Sequence, residues 1–345
     1  MESHAAGKGV KAQYNRSTGT VELFSENGEL WPEWAERIGI QRNRIRDIYI
    51  RKGKIYLPEN AGGYDEGELN YSTFGGLNNV RFIDMTGFDA SRTTNMQEMF
   101  FECGSLTSIC LNDLDTKNVT NMSYMFRECS SLETLDLSGM DTSAVKDMQG
   151  MFHKCTSLQC INLKAMDTSN VTNMNRMFKE CSSLKEIDLS GWDTSKVTNM
   201  SGMFDRCVEL HTLTLDGINT ANVKNMAYMF YDCENLQKID LTGFNTSATE
   251  DMGYMFGRCS ELTGLDIGSF DTRNTKNMYR MFFGCKSLEY LDLSHFNLEE
   301  MRNMAGIFEE CRKLQLISMP ISINEKTRTE DMFKDCREDI KIAYT

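Results

Sequence analysis

Twelve cysteines and only four histidines set the terms for any chemistry this chain could carry. Cys103, Cys129, Cys155, Cys181, Cys207, Cys233, Cys259, Cys285 and Cys311 stand 26 residues apart, Cys336 follows at 25, and only Cys110 and Cys160 fall outside the ladder. Zinc sites draw their ligands from local Cys-x-x-Cys or Cys/His clusters, and no Cys-x-x-Cys occurs. Equivalent cysteines on stacked repeats come close enough for disulfides, but they point the same way from parallel frames, which suits an S–S bond poorly. The ladder therefore reads as small buried thiols, with Cys110 and Cys160, on outward strand positions, as the reactive pair. His4, His153, His211 and His295 occupy unrelated repeat positions, so no Cys–His or Ser–His pair is suggested. Walker-type phosphate loops are absent. The expectation is a non-enzyme without catalytic residue, metal or cofactor; a catalytic role would have to rest on residues 1–58, which are poor in convergent polar groups.

Carboxylates form the second recurrent chemistry. One repeat position holds Asp84, Cys110, Asp136, Asn162, Asp188, Thr214, Asp240, Asp266 and Asp292. On stacked coils the last three would sit about one strand spacing apart, with a repulsion of order 1 kcal/mol between neighbours even in water. Either each Asp bonds to Ser, Thr or main-chain donors of a neighbour, or the stripe takes a cation or a basic partner. Two further outward rows vary: Thr134, Cys160, Glu186, Thr212, Lys238, Gly264, Tyr290, and Glu133, Gln159, Lys185, His211, Gln237, Thr263, Glu289. Constant core with variable face is the pattern of a modular binder, so Asp136, Asp188, Asp240, Asp266, Asp292, Glu186, His211, Lys238 and Tyr290 are the candidate partner-binding residues.

The elements that position these residues follow from the same period. Met-Phe pairs at Met99-Phe100, Met125-Phe126, Met151-Phe152, Met177-Phe178, Met203-Phe204, Met229-Phe230, Met255-Phe256 and Met281-Phe282 keep the 26-residue step. Met174, Met177, Phe178 and Cys181 lie at i, i+3, i+4 and i+7, the face of a short helix. Leu184, Ile187 and Leu189 carry the Leu-x-x-Leu-x-Leu mark of a strand with alternate residues buried. Gly191 and Asp193-Thr194-Ser195 supply the turn between them. A coil this small cannot bury its apolar stripe alone, so coils must stack. The expected fold is an α/β-type right-handed repeat solenoid, a leucine-rich-repeat horseshoe or rod with 26-residue coils, one parallel strand and one short helix per coil. The Met rows are core filler rather than a metal or cofactor box.

Phe74, Leu77, Val80, Ile83 and Met85 form a degenerate first coil, since Phe74 lies 26 before Phe100. Val21–Phe24, Ile45–Ile50 and Lys54–Leu57 read as strands with turns at Asn27-Gly28 and Gly53. The expected division is a flexible segment over 1–20, an N-terminal β cap over 21–73, the solenoid over 74–336 and a capping strand over 337–345, where Lys341 discourages edge pairing.

The run Asn-Val-Thr-Asn-Met-x-x-Met-Phe-x-x-Cys-x-Ser-Leu, standing at 118–132 and 170–184, closely resembles the BspA-type leucine-rich repeats. The match covers 74–336. That family is best known from bacterial surface proteins, and the resemblance implies adhesion: binding host matrix proteins or other cells, with no enzymatic activity. It implies a cell-surface or secreted protein. The opening residues, by contrast, lack the apolar core of a signal peptide, and no lipid-anchoring Cys or wall-sorting tail is recognisable, which favours an intracellular scaffold in the cytoplasm as the alternative.

Charge narrows the partner. The formal net charge is −13, which argues against nucleic acid, whose recognition needs clustered Lys and Arg. Residues 1–58 hold 10 Lys+Arg against 7 Asp+Glu, leaving 27 against 43 for the rest. A partner held electrostatically by the repeats should be cationic. No stretch reaches the roughly 18 apolar residues of a membrane span, and a monomer is expected.

Overall fold

The structure, a computed structural model, describes residues 3–63, 72–112 and 114–345. The chain divides into two units, Met1–Asn170 and Val171–Thr345, and each is a β-solenoid of stacked coils.

The first unit starts with an antiparallel hairpin of β1 (Ser3–Lys8) and β2 (Val10–Asn15), turning at Gly9 with φ +73. Then follow β3 (Thr20–Phe24), β4 (Gly28–Leu30), the short helix α1 (Trp34–Arg37), a 3-10 turn at Arg42–Arg44, β5 (Asp47–Lys52), β6 (Ile55–Tyr56), β7 (Phe82–Asp84), β8 (Phe88–Asp89) and β9 (Ser108–Cys110). They form one nine-stranded sheet ordered β8-β6-β4-β1-β2-β3-β5-β7-β9. The hairpin lies in its middle, and a parallel ladder leaves each side of it: β4-β6-β8 and β3-β5-β7-β9.

This arrangement corrects two expectations. Residues 3–15 are strands rather than part of a flexible segment, because alternate apolar residues such as Ala6, Val10 and Ala12 are buried against the first coils. The region expected as a separate β cap already runs as coils: β3 pairs in parallel with β5 at Thr20↔Asp47, and β5 with β7 at Asp47↔Phe82. The hairpin is what closes the stack, giving the edges of the first coil a backbone partner. Farther on, β10 (Thr134–Asp136) pairs in parallel with β11 (Cys160–Asn162).

In the second unit β12 (Glu186–Asp188) pairs in parallel with β13 (Thr212–Thr214), and β14 (Tyr290–Asp292), β15 (Leu316–Met319) and β16 (Lys341–Tyr344) form a parallel three-stranded sheet. Between them, the coils through Lys238–Asp240 and Gly264–Asp266 turn the same corner without regular strand pairing, so one strand per coil does not hold throughout. Gly264 brings no side chain to pack across the strand face, which weakens pairing there.

The short helix expected in every coil is absent; α1 is the one α-helix among the described residues. The Asn-Met-x-x-Met-Phe-x-x-Cys run is instead a chain of turns with a left-handed residue every fourth position, such as Gly202 (φ +60) and Arg206 (φ +61), then Tyr228 (φ +59) and Asp232 (φ +61). Its amides alternate. Met203 and Cys207 donate within the coil to the carbonyls of Met200 and Phe204 at 3.2 and 3.0 Å, while Phe204 and Arg206 donate to the next coil at Met229 and Tyr231, at 2.9 and 2.7 Å. A four-residue turn repeat brings i, i+3, i+4 and i+7 to one side just as a helix does, which is why the spacing of Met200, Met203, Phe204 and Cys207 misleads. A left-handed conformation costs a non-glycine residue roughly 1–2 kcal/mol, and the inter-coil hydrogen bonds are what offset it.

Inside the coils the expected rows are present. Phe178, Phe204, Phe230, Phe256, Phe282 and Phe308 are fully buried and stack at centroid separations of 5.5–5.8 Å; Phe74, Phe100, Phe126 and Phe152 do the same in the first unit at 5.2–6.0 Å. Buried threonines link coil to coil. The Thr246 hydroxyl donates to the Asp271 carbonyl at 3.0 Å and accepts the Asp271 N–H at 2.8 Å.

Candidate functional site

The cysteine ladder is structural. Cys129, Cys155, Cys181, Cys207, Cys233, Cys259 and Cys285 are fully buried, and no disulfide joins the described cysteines. Cys233 donates its S–H to the Phe204 carbonyl of the preceding coil at 3.2 Å, and Cys129, Cys155, Cys207, Cys259 and Cys285 repeat that bond one coil apart at 3.1–3.2 Å. Each such carbonyl also accepts an amide of its own coil, as Phe204 does from Cys207, so the thiol occupies the second lone pair. Desolvation by burial pushes Cys103 and Cys155 up to about 12 and Cys129, Cys207, Cys233, Cys259 and Cys285 upward too, leaving these without a thiolate for nucleophilic or metal chemistry. Cys160 is exposed and Cys110 half-buried.

The aspartate row occupies the outer strand corner. Asp136, Asp188, Asp240, Asp266 and Asp292 are exposed, and each Oδ1 accepts the main-chain N–H two residues on: Ser138, Ser190, Thr242, Gly268 and Ser294, at 2.9–3.0 Å. The donor thus comes from the residue's own turn rather than the neighbouring coil. At Asp136 a neighbour's side chain adds to it, with Asn162 Nδ2 at 3.1 Å. These turn bonds, led by the Ser138 and Thr242 amides, hold Asp136 and Asp240 below the usual carboxylate range, and the Ser294 hydroxyl and amide do the same for Asp292. Among the described residues no group of three or more His, Cys, Asp or Glu side chains is placed to hold a metal ion.

Glu186, Lys238 and Tyr290 stand outward on the strand face, Tyr290 at 49% exposure, and His211 Nδ1 lies 3.0 Å from the Thr212 hydroxyl. Register puts Glu186 beside Thr212 and Tyr290 beside Leu316.

A second surface lies in the Asn-Met-x-x-Met-Phe run, on the side opposite the Met, Phe and Cys rows that its spacing marks. Tyr228, Tyr231, Tyr254, Tyr279 and Phe283 of the second unit form a continuous aromatic cluster. Tyr254 is its hub, stacked on Tyr228 at 4.7 Å and edge-on to Tyr231, Tyr279 and Phe283 at 5.5, 5.2 and 6.4 Å. Arg280 lies 5.3 Å from the Tyr279 ring and 5.0 Å from the Phe283 ring, pairs with Glu309 at 2.7 Å and points Nη1 at the Tyr254 hydroxyl at 3.4 Å. Tyr228 remains 41% exposed, and its phenol is pushed up by burial first and by Tyr254 and Tyr231 next. Both Tyr228 and Tyr254 hold left-handed φ, +59 and +56, at a coil position where Gly202 and Gly306 stand in the same unit. The visible signal in the sequence is that column: bulky aromatics in consecutive coils where others use glycine.

A stack of 26-residue coils with Leu-x-x-Leu-x-Leu strands defines a leucine-rich-repeat-type β-solenoid. The chain belongs to the family described as "Mycoplasma protein of unknown function, DUF285", which matches residues 70–186, 158–264 and 233–342. No curated protein matches the chain. Among solved structures it is similar to a leucine-rich repeat protein from Eubacterium ventriosum (14% identity, TM-score 0.40, 97% of this chain and 95% of that one). A leucine rich cell surface protein from Faecalibacterium prausnitzii is 17% identical (TM-score 0.31, 100% and 95%), and the leucine rich repeat protein of T. pallidum 16% (TM-score 0.33, 65% and 86%). No helix among the described residues is long and apolar enough to cross a membrane.

Proposed function

We propose that this chain is a non-catalytic protein-binding solenoid, an adhesin-like module of the BspA type displayed or secreted by a bacterium, and that the second unit's tyrosine cluster receives the partner. The observation that carries this reading is Tyr228, Tyr231 and Tyr279 gathered around Tyr254 on a half-exposed surface, with Arg280 against Tyr279 and the Tyr254 hydroxyl. Tyr and Arg are the residue types that dominate binding energy at protein interfaces, and a tyrosine joins an apolar ring to a polar tip at low entropic cost. The strand face of the second unit, with Asp188, Asp240, Asp266, Asp292, Glu186, His211, Lys238 and Tyr290, is the second contact surface, and Asp136 holds the equivalent position in the first unit. The acidic excess of residues 59–345, 43 Asp+Glu against 27 Lys+Arg, supports a cationic partner such as a basic segment of a matrix protein.

The test is capture from host matrix proteins and cell extracts, with the wild-type chain and Tyr254→Ala side by side. A saturable partner held by the wild type and weakened about thirtyfold or more by the substitution is expected, that being the size of a typical hot spot. No saturable partner, or equal capture by both, would sink the proposal. One observation favours an intracellular scaffold instead: Cys160 stands exposed as a free thiol, a group that an oxidising compartment readily modifies. Thiol-blocked protein from its natural source decides between them, since oxidised Cys160 or Cys110 would place the chain outside the cell.

A further inference from the structure

The first unit carries a cationic cavity that neither the coil architecture nor the protein-binding reading uses. Its volume is about 720 Å³, and it is lined by His4 of β1, Tyr14 and Arg16 at the end of β2, Ile38 and Ile40 after α1, and Arg44 of the 3-10 turn, with no acidic residue in its wall. The setting makes that composition informative. The chain as a whole is strongly acidic, yet residues 1–58 carry 10 basic against 7 acidic side chains.

Pairing sharpens the asymmetry. Glu22, Glu26, Glu33, Glu36 and Asp47 are engaged by Arg51, Lys52, Arg37, Arg42 and Arg81. Among the described residues, no carboxylate comes within ion-pair distance of Arg16 or Arg44. Two guanidinium groups, each with five donors and a permanent charge, therefore flank one cavity without a counter-charge.

The segments that carry them are fixed at the backbone. Tyr14 donates its hydroxyl to the Arg44 carbonyl at 3.1 Å, tying β2 to the 3-10 turn. The turn bearing Arg16 is closed by the Gly19 amide on the Asn15 carbonyl at 2.8 Å, while Asn15 Oδ1 accepts the Ser17 amide at 3.0 Å. Gly39 (φ +72) turns the chain between Ile38 and Ile40, and a Cβ there would meet nothing within 4 Å, so the cavity side stays open. Ile38 and Ile40 are nearly buried and supply an apolar floor. A recess of this size, apolar below and with a few convergent polar groups, has the form of a small-molecule site.

We propose that this cavity binds a soluble small molecule bearing a phosphate or carboxylate group, held by Arg16 and Arg44. Both arginines would donate charge-assisted hydrogen bonds to the anion, and the body of the ligand would lie against Ile38 and Ile40. A recess rather than a flat basic surface favours a free molecule over a lipid headgroup.

Isothermal titration of the full chain with inorganic phosphate and with citrate at low salt tests this. Saturable one-site binding to at least one of the two anions is expected. Arg16→Gln and Arg44→Gln should each weaken it about tenfold or more, the loss of one charge-assisted contact, with circular dichroism and melting temperature unchanged because both side chains are exposed. Absence of saturable heat with both anions, or unchanged affinity in the double variant, overturns the proposal. So does binding to phosphatidylglycerol vesicles without binding to free anion, which would assign the arginines to a membrane surface.

Discussion

Substituting Cys233→Ala and following stability against pH isolates the physics of the thiol ladder. Cys233 is fully buried, donates to the Phe204 carbonyl at 3.2 Å, and burial, with Cys259 and Cys207 adding to it, holds the thiol protonated far above the 9.0 of a free thiol. The sign follows from linkage. The unfolded chain releases this proton first, so the contribution of Cys233 is intact below pH 9 and falls as pH rises beyond it. One pH unit above the unfolded value the loss is RT ln 11, about 1.4 kcal/mol. Removing the thiol removes that titration, whereas tyrosines and lysines that ionise in the same window are common to both proteins and cancel in the difference. At pH 7 the variant should be less stable by about 1–2 kcal/mol, for a lost S–H bond and a sulfur-sized void. At pH 10 that gap should have narrowed by about 1.4 kcal/mol. Urea titrations in reductant, read by far-ultraviolet circular dichroism, measure it. A gap that stays constant or widens refutes the reasoning, because the thiol would then ionise in the native state and could not be sealed in the core.

Three further outcomes follow from the same structure. Thr246→Val keeps the shape of a buried side chain but strands the Asp271 amide and carbonyl it now bonds at 2.8 and 3.0 Å; a loss of about 2–5 kcal/mol is expected from urea midpoints, and a neutral result would mean the threonine only fills space. Tyr228→Gly relieves a left-handed backbone, worth about 1–2 kcal/mol, and forfeits the stack on Tyr254 and the edge contact with Tyr231, about 1 kcal/mol each, so its melting temperature should stay near wild type while partner binding drops; a collapse in stability would make Tyr228 a core residue instead. A disulfide reagent on the native chain should modify Cys160 fast, Cys110 and Cys336 more slowly, and the nine buried thiols only after unfolding; rapid native labelling of Cys207 or Cys259 would contradict the packing described.

The repeat period, the Phe, Met and Cys rows and the outward strand face were all legible, because one long motif recurs in register and strand alternation leaves Leu184, Ile187 and Leu189 inward. The helical run was misread for a physical reason. A left-handed residue every fourth position reproduces helical spacing, and Tyr228 and Arg206 carry no residue-type mark of positive φ. The tyrosines stand off the marked face, and helical spacing does not bring Tyr228, Tyr231, Tyr254 and Tyr279 together, whereas the turn repeat does. Near the start, coils whose paired strands stand at Thr20, Asp47 and Phe82 depart from the 26-residue step, so their strands were visible but not their place in the stack. The aspartate row was correctly placed outward, while its bond to its own turn depends on backbone geometry that spacing alone does not reveal.

Site-specific photocrosslinking tests the central claim most directly: a photoreactive residue replaces Tyr228 in one protein and Lys238, on the strand face, in another, and both are exposed to the captured partner. A saturable crosslink from position 228, competed by unlabelled wild type, is expected. A crosslink from position 238 with none from 228 would contradict it and move recognition to the strand face.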